Sequence, residues 1–228
     1  MTSDRARRVW RTAAAIFAVA LAMRLLWITV PINIDEAVWI RRGPAFYVAL
    51  LTGDPAGTYL KHHPGVTNMW IIGAGLSLRY WLRDLLPPDA LVSQSPSLLD
   101  YLRAVAAAPV TPLSAYTAAR WASAFVTATS LAALYLLGRR VYGEVVATTA
   151  SVILLLEPFF VAYQRAITTD ANQTNLMWLS FLALMVYAVS VSGRVARPGS
   201  AVRAGEERKG GERRTCSILW WYNVPVCH

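Results

Sequence analysis

From Ala171 to Val191 the chain reads ANQTNLMWLSFLALMVYAVSV, a run of 21 residues without a charged side chain. As an α-helix that rises about 1.5 Å per residue, this run is roughly 31 Å long, which is enough to cross the ~30 Å hydrocarbon core of a bilayer. It therefore predicts a membrane-spanning helix, and this prediction decides the class of fold.

The composition of the whole chain is that of a membrane protein. Of 228 residues, 56% are hydrophobic and 15% are charged, whereas soluble domains carry about 25% charged residues. The mean hydropathy is +0.39, and the chain contains 9 Trp and 10 Tyr, residues that are enriched at membrane interfaces. These values exclude a disordered chain and argue against a soluble domain.

The net charge is +9, because 22 Lys and Arg outnumber 13 Asp and Glu. The basic residues cluster beside the apolar segments, as cytoplasmic arginines do next to membrane helices. We therefore predict contact with the membrane and no nucleic-acid partner.

Three more segments are predicted to span the membrane: residues 12–30, 113–137 and 145–163. Four arginines precede the first of them and indicate a cytoplasmic N-terminus: Arg5, Arg7, Arg8 and Arg11. A cleaved signal peptide is the alternative, since residues 20–22 read Ala-Leu-Ala. Apolar residues continue past that point, however, which favours an uncleaved anchor.

Residues 64–82 are apolar and long enough to cross, yet they include three glycines and Arg79. If this segment crosses, Arg139 and Arg140 fall outside the cell, against the positive-inside rule. If it does not cross, they lie on the side of the N-terminus. We therefore predict an all-α polytopic protein with four spans, in which residues 31–112 form one long external loop with amphipathic or re-entrant helices.

The chain changes character after residue 192. Residues 193–228 are rich in Gly, Arg and Glu, end in a short aromatic patch, and contain both cysteines, Cys216 and Cys227. Such a segment cannot build a core, so we predict a basic, disordered cytoplasmic tail. A premature end or a shifted reading frame is the alternative interpretation. The two cysteines show no metal-ligand spacing and no disulfide framework.

The predicted topology brings three polar groups to the external face, where they are expected to line one cleft: Asp35-Glu36, His62-His63, and Arg165 with Asp170. Ionisable groups near membrane depth tend to be paired or functional. Asp35 has two interpretations. It is either the N-cap of an amphipathic helix along the membrane surface, with Glu36 in its first turn, or a general base that takes a proton from an acceptor hydroxyl.

The other candidates also have structural alternatives. His62 and His63 have side chains that diverge, so a metal site would need Asp35, Glu36 or Asp170 as further ligands. Otherwise the two histidines belong to a turn.

Asp170 with Gln173 three residues later is typical of an N-cap. Arg165 suits an interface anchor near a helix end. Arg120 lies slightly inside the bilayer and needs an anion, either a lipid phosphate or one of these carboxylates.

Together these segments resemble the N-terminal part of the dolichyl-phosphate-mannose protein mannosyltransferases, glycosyltransferase family 39 of the multi-spanning GT-C class. The resemblance covers about residues 10–190. It rests on Asp35-Glu36 after the first helix, TYLKHHPGVTNMW (58–70), ARWASAFVTATSLAALYLLGRRVYG (119–143) and LLLEPFFVAYQRAITTDA (154–171).

The resemblance implies transfer of a sugar, with inversion, from a polyprenyl-phosphate donor to an acceptor hydroxyl of a protein or lipid. This would take place on the extracytoplasmic face, in the plasma membrane. It implies that Asp35 is the base and Glu36 its acidic partner. The resemblance implies that His63, Arg120 and Asp170 bind substrate. We add His62 and Arg165 as substrate-binding candidates from the predicted cleft, and the metal requirement is left open.

Members of this family carry more spans than the four predicted here. We therefore expect little or no activity from the isolated chain unless a partner chain supplies the missing helices. The alternative function is a non-catalytic membrane subunit or truncated remnant that binds prenyl-phosphate lipid or a partner protein. A transporter fragment is a weaker alternative, since no inverted repeats are present.

Overall fold

The computed structural model describes residues 3–26, 28–30, 33, 35–60, 65–195, 216–219 and 224–227. Within these residues the chain forms nine α-helices, one 3-10 turn (Ala56–Thr58) and one strand pair. The helices are α1 (Ser3–Leu25), α2 (Asp35–Leu51), α3 (Val66–Trp81), α4 (Ala90–Gln94), α5 (Leu98–Ala107), α6 (Leu113–Tyr142), α7 (Glu144–Leu156), α8 (Pro158–Arg165) and α9 (Thr169–Val195).

The chain divides into two compact units, Met1–Tyr187 and Ala188–His228. The described part of the first unit is helical, which confirms the predicted class. The second unit holds strands β1 (Cys216–Leu219) and β2 (Val224–Cys227), which pair antiparallel. Disorder was predicted for residues 193–228, most of which lie outside the described residues.

Two helices of the described chain are long and apolar enough to cross a membrane: Leu113–Tyr142 and Thr169–Val191. Helices α7 and α8 together form a third candidate, bent by 67°. Helix α1 ends at Leu25 instead of residue 30, and arginines near both of its ends make it less apolar than α6 and α9. Length and composition thus support an integral membrane protein with two or three spans, while the count of four remains a prediction.

The predicted span 145–163 is not one straight helix, because it breaks between α7 and α8. Pro158 has no backbone N–H to continue the ladder of α7. The side chain of Glu157 instead accepts the N–H groups of Phe159 (3.2 Å) and Phe160. Glu157 therefore caps a new helix, and the chain turns at this point.

Helix α3 lies within the segment whose crossing was uncertain. It has 16 residues, so it is about 24 Å long, shorter than the ~30 Å hydrocarbon core. Its buried face packs against α2 and α6 through glycines. A Cβ on Gly75 would lie 2.7 Å from the carbonyl oxygen of Ala118 on α6, and a Cβ on Gly43 would lie 2.6 Å from Cγ2 of Ile72. Helix α3 therefore packs closely on both α2 and α6, and the external loop of residues 31–112 stays a prediction.

Two clusters of buried apolar side chains form the core. One joins α2, α3, α5 and α6 through residues such as Ile40, Ile72 and Tyr101. The other joins α1, α6 and α7 through residues such as Ile16 and Leu131. Helix α6 contributes to both clusters, so it joins α2, α3 and α5 to α1 and α7.

Candidate active site

Glu36 is the centre of the polar network and is fully buried. Its carboxylate pairs with the guanidinium of Arg120 on α6, with Nη2 at 2.9 Å from Oε1 and 2.8 Å from Oε2. It also accepts the hydroxyl of Tyr116 and, at 2.8 Å, the backbone N–H of Ile167. A buried carboxylate is stable only with such a set of donors, and these donors join three parts of the chain.

Arg120 extends the same network to the connection between α1 and α2. Its Nη1 donates to the carbonyl of Ile28 at 2.8 Å and to that of Val30. The guanidinium carbon lies 4.8 Å from the centre of the Tyr116 ring. The sequence left two kinds of anion open as the partner of Arg120, a lipid phosphate or a carboxylate. In the structure, the partner is the carboxylate of Glu36.

Asp35 precedes Glu36 but has the opposite environment, because it is exposed. Its backbone N–H donates to Oδ1 of Asn33 at 3.1 Å. The Asn33 side chain thus accepts the first backbone N–H of α2. Asp35 is the first residue of that helix and not its N-cap, which corrects the capping interpretation. Among the residues that the structure describes, its carboxylate has no hydrogen-bond or ion-pair partner and remains available.

Asp170, the second residue of α9, is also exposed. Its Oδ2 accepts the hydroxyl of Tyr163 at 2.6 Å, and its Oδ1 accepts that of Thr169 at 3.2 Å. It therefore bonds to side-chain hydroxyls and does not cap with Gln173 as predicted. Arg165 donates through Nη2 to the carbonyl of Leu26.

The bond from Ile167 to Glu36 brings the start of α9 against the start of α2. Asp35 is the neighbour of Glu36, and Asp170 is three residues beyond Ile167. The two aspartates thus flank one junction, although they are 135 positions apart by number (170 less 35). Arg165 and Asp170 form no ion pair in the described part of the chain.

His62 and His63 lie outside the described residues. Gly65, shortly after them, is described and lies at the same junction, since a Cβ on it would come 2.1 Å from Cη2 of Trp39 and 3.3 Å from Cγ2 of Thr169. Within the described chain, no group of three His, Cys, Asp or Glu side chains is arranged to hold a metal ion.

Sequence reasoning missed several polar residues of this region. Tyr116 lies one helical turn before Arg120, a spacing that could have indicated a shared partner. Arg24 is the one charged residue within the predicted span 12–30. Its buried guanidinium donates to Gln164, whose Nε2 donates to Oδ1 of Asn175 at 2.9 Å. The one signal in the sequence for these amides is general: a cation within a membrane span needs hydrogen-bond acceptors.

Two cavities lie beside α3. The larger, about 1040 Å³, has walls that are almost entirely apolar and runs between α3 and α6, with Thr29, Thr117 and Arg79 among its lining residues. Thr29 lies between the two residues whose carbonyls Arg120 binds. The smaller, about 550 Å³, lies between the first turns of α3 and α9.

Residues 108–195 match the family described as dolichyl-phosphate-mannose-protein mannosyltransferase. The matched segment contains helices α6 to α9, and so includes Arg120, Arg165 and Asp170 but not Asp35 or Glu36. No curated protein and no solved structure matches the chain. The match agrees with the resemblance inferred from the sequence and supports a membrane glycosyltransferase of the mannosyltransferase type.

Proposed function

We propose that this chain is a membrane glycosyltransferase, or part of one, that moves a sugar from a polyprenyl-phosphate donor to an acceptor hydroxyl on the extracytoplasmic face of the plasma membrane. The observation that carries the proposal is the pair of Arg120 and Glu36. It connects the segment that matches the mannosyltransferase family with the acidic pair that lies outside the match.

The exposed carboxylate of Asp35 suits the role of general base. The acceptor oxygen attacks the anomeric carbon while its proton passes to Asp35, and the bond from that carbon to the phosphate oxygen breaks on the opposite face. The configuration therefore inverts. Positioning the carboxylate beside the acceptor supplies much of the rate.

Glu36 has a different role in this proposal. The donors described for it, among them Arg120 and Ile167, belong to the protein, so we assign it as a positioning residue that fixes the first turn of α2. Arg165 is assigned to the departing phosphate, because it is the half-buried cation nearest in sequence to the junction. The histidines at 62 and 63 and Asp170 stay predicted contacts of the donor and acceptor.

The apolar cavity supports a lipid-linked donor. Its walls would hold part of a polyprenyl chain by burial of apolar surface. Because Thr29 and Thr117 line it and lie beside the partners of Arg120, a chain in this cavity would end close to the junction. This arrangement would bring the phosphate to the place where Asp35 is exposed.

The test is transfer of labelled mannose from a polyprenyl-phosphate donor to acceptors in membranes that contain the full chain and its natural partners. The variant Asp35→Asn should lower the rate by about 10²-fold or more, the usual contribution of a general base. Asp84→Asn is the matched control, since Asp84 is also an exposed aspartate of the external loop, and it should transfer at the wild-type rate. Full activity of Asp35→Asn would refute the proposed base.

A non-catalytic subunit that binds prenyl-phosphate lipid is the second candidate. The observation that favours it is the apolar face of α9, where Met177, Trp178 and Leu184 are more than half exposed. Binding of the lipid without any transfer by the wild-type chain in its own membranes would support this candidate over the enzyme.

A further inference from the structure

A buried arginine near the end of the first helix has no anion. Arg24, in the last turn of α1, is 2% exposed, so its guanidinium does not extend to water or to lipid headgroups. Among the residues that the structure describes it forms no ion pair, and its acceptors are neutral: the carbonyl of Ala20 at 2.9 Å and the side chain of Gln164. A charged group of this kind at membrane depth is a candidate functional group.

Arg24 belongs to a chain of buried side chains that joins three helices. Gln164 near the end of α8 is 1% exposed, and Asn175 on α9 is 2% exposed. Oε1 of Gln164 accepts from Arg24, and its Nε2 donates to Oδ1 of Asn175 at 2.9 Å. The end of α8 is therefore fixed to both α1 and α9 by side chains that no ligand has to reach.

This chain of side chains determines the position of the next residue, Arg165. Its Nη2 donates to the carbonyl of Leu26, two residues after Arg24, so α1 and α8 are joined at two neighbouring points. Of the other two nitrogens of Arg165, Nε is buried without a partner, whereas Nη1 is neither bonded nor buried within the described chain. One nitrogen is thus held by the protein, and another is accessible to an anion.

The two guanidiniums bring two positive charges close together, and neither forms an ion pair in the part of the chain that the structure describes. The charge of Arg24 is buried, so its effect at Arg165 is screened less than that of an exposed charge. A phosphate that contacts Nη1 of Arg165 would gain from both charges, from one by contact and from the other through space. An uncharged prenol would gain from neither.

A purely structural role for Arg24 is the alternative, because a cation in the last turn of a helix complements the helix dipole. The two roles differ in what a new anion beside Arg24 would do. In the structural role it would leave ligand binding as it is. In a phosphate site it would compete with the phosphate for the charge of Arg24.

We propose that Arg24, Gln164 and Asn175 are positioning residues of a phosphate site. The two amides hold α8 so that Arg165 meets the phosphate of the lipid-linked donor, and Arg24 supplies a second positive charge whose counter-charge is that phosphate. The assignment rests on the proposed function for the identity of the donor. Recognition of the phosphate can be measured without any transfer.

The first measurement compares the affinity of polyprenyl phosphate with that of uncharged polyprenol for the full chain in phosphatidylcholine nanodiscs. The wild-type chain should prefer the phosphate. Gln164→Glu keeps the shape of the side chain and the acceptor for Arg24, but it supplies an anion from within the protein. This variant should bind polyprenyl phosphate about tenfold less tightly, while its affinity for polyprenol should not change.

Thermal unfolding separates this effect from damage to the fold. Gln164→Glu should lose no stability, because the buried cation gains an ionised hydrogen-bond partner. A purely structural role predicts that phosphate affinity follows stability, whereas the proposed role predicts that affinity falls although stability does not. Gln94→Glu is the matched control, since it adds the same charge at an exposed position of α4. It should bind both lipids as the wild-type chain does.

Arg24 gives a second pair of variants. Arg24→Lys retains the buried charge and should keep most of the preference for the phosphate. Arg24→Met retains the apolar stem but removes the charge, so it should lose the preference by about the same tenfold factor. This pair decides the proposal if Gln164→Glu does not fold.

Each outcome decides the proposal. A preference that falls in Gln164→Glu and Arg24→Met but persists in Arg24→Lys and Gln94→Glu supports it. Equal phosphate affinity in Gln164→Glu and the wild-type chain, an equal loss for both lipids, or no preference in the wild-type chain overturns it.

Two further results separate this proposal from its neighbours. The preference should persist when phosphatidylglycerol replaces part of the phosphatidylcholine, and its disappearance would assign the two charges to bilayer headgroups and overturn the assignment to the donor. Transfer that needs Asp35 but proceeds at the wild-type rate in Gln164→Glu would sink the phosphate site alone. A phosphate preference that depends on Arg24, without any transfer, would sink the proposed function alone.

Discussion

At the scale of single residues, two adjacent carboxylates have opposite environments. Successive side chains of a helix point about 100° apart, so the burial of Glu36 against α6 leaves Asp35 on the outside of the first turn of α2. The buried carboxylate holds the helix in place, and the exposed one is free to act. In the proposed function, Glu36 therefore positions the helix and Asp35 is the carboxylate that reaches the substrate.

The pair of Glu36 and Arg120 should be important for stability. Glu36→Ala leaves the guanidinium of Arg120, 3% exposed, without its anion, and loss of one partner of a buried pair costs about 3–5 kcal/mol. Thermal unfolding of the purified chain in detergent measures the effect. The double variant Glu36→Ala/Arg120→Met should be less destabilised than Glu36→Ala alone.

The exposed pair of Asp4 and Arg7 on α1 gives a matched control. Its side chains are 86% and 69% exposed, so Asp4→Asn should change the free energy of unfolding by less than about 1 kcal/mol. If Glu36→Ala were as mild as Asp4→Asn, the central role of the buried carboxylate would be refuted.

The partner of Arg120 shows how far the sequence could predict the site. An arginine at membrane depth must have an anion, so a partner could be predicted. The identity of that partner could not be predicted. Glu36 is 84 positions away, and it meets Arg120 only because α2 packs against α6, which no local sequence pattern indicates. The capping role of Asp35 was wrong because Asn33 lies two residues earlier and has an equally suitable acceptor.

At the scale of helices, long apolar runs correctly predicted the membrane helices, whereas the break within the third predicted span was not predicted. Helices α6 and α9 appear where the uncharged runs lie. The bend between α7 and α8 was missed, although the sequence contains Pro158 directly after Glu157. A proline and a capping acid together start a new helix, and this signal should have outweighed the apolar run.

Close packing of α3 on α6 gives a test at this scale. Gly75→Ala should destabilise the protein by about 1–3 kcal/mol, the usual cost of overpacking, because its Cβ would lie 2.7 Å from a backbone oxygen of α6. Gly138→Ala is the control, since the nearest atom there is 3.7 Å away. Thermal unfolding in detergent compares the two, and equal stability of both variants would argue against the contact of α3 with α6.

At the scale of the whole molecule, α9 is the least covered of the candidate spans. Only its first turns bond to other helices of the described chain, through Asp170, Asn172 and Asn175. Further along, large apolar side chains remain exposed: Leu176, Met177, Trp178, Phe181, Leu184 and Tyr187. A membrane helix of this kind faces lipid or another helix, and the partner chain stays a prediction.

The proposed site requires both exposed aspartates to lie in one aqueous compartment, on the side of the membrane opposite Arg140. The most direct test is labelling of single cysteines at positions 35, 170 and 140 in intact cells with a membrane-impermeant maleimide, in a Cys216→Ser/Cys227→Ser background. We predict that positions 35 and 170 react from outside and that position 140 reacts only after permeabilisation. Labelling of positions 35 and 170 from opposite sides would contradict the shared site and the sugar transfer proposed for it.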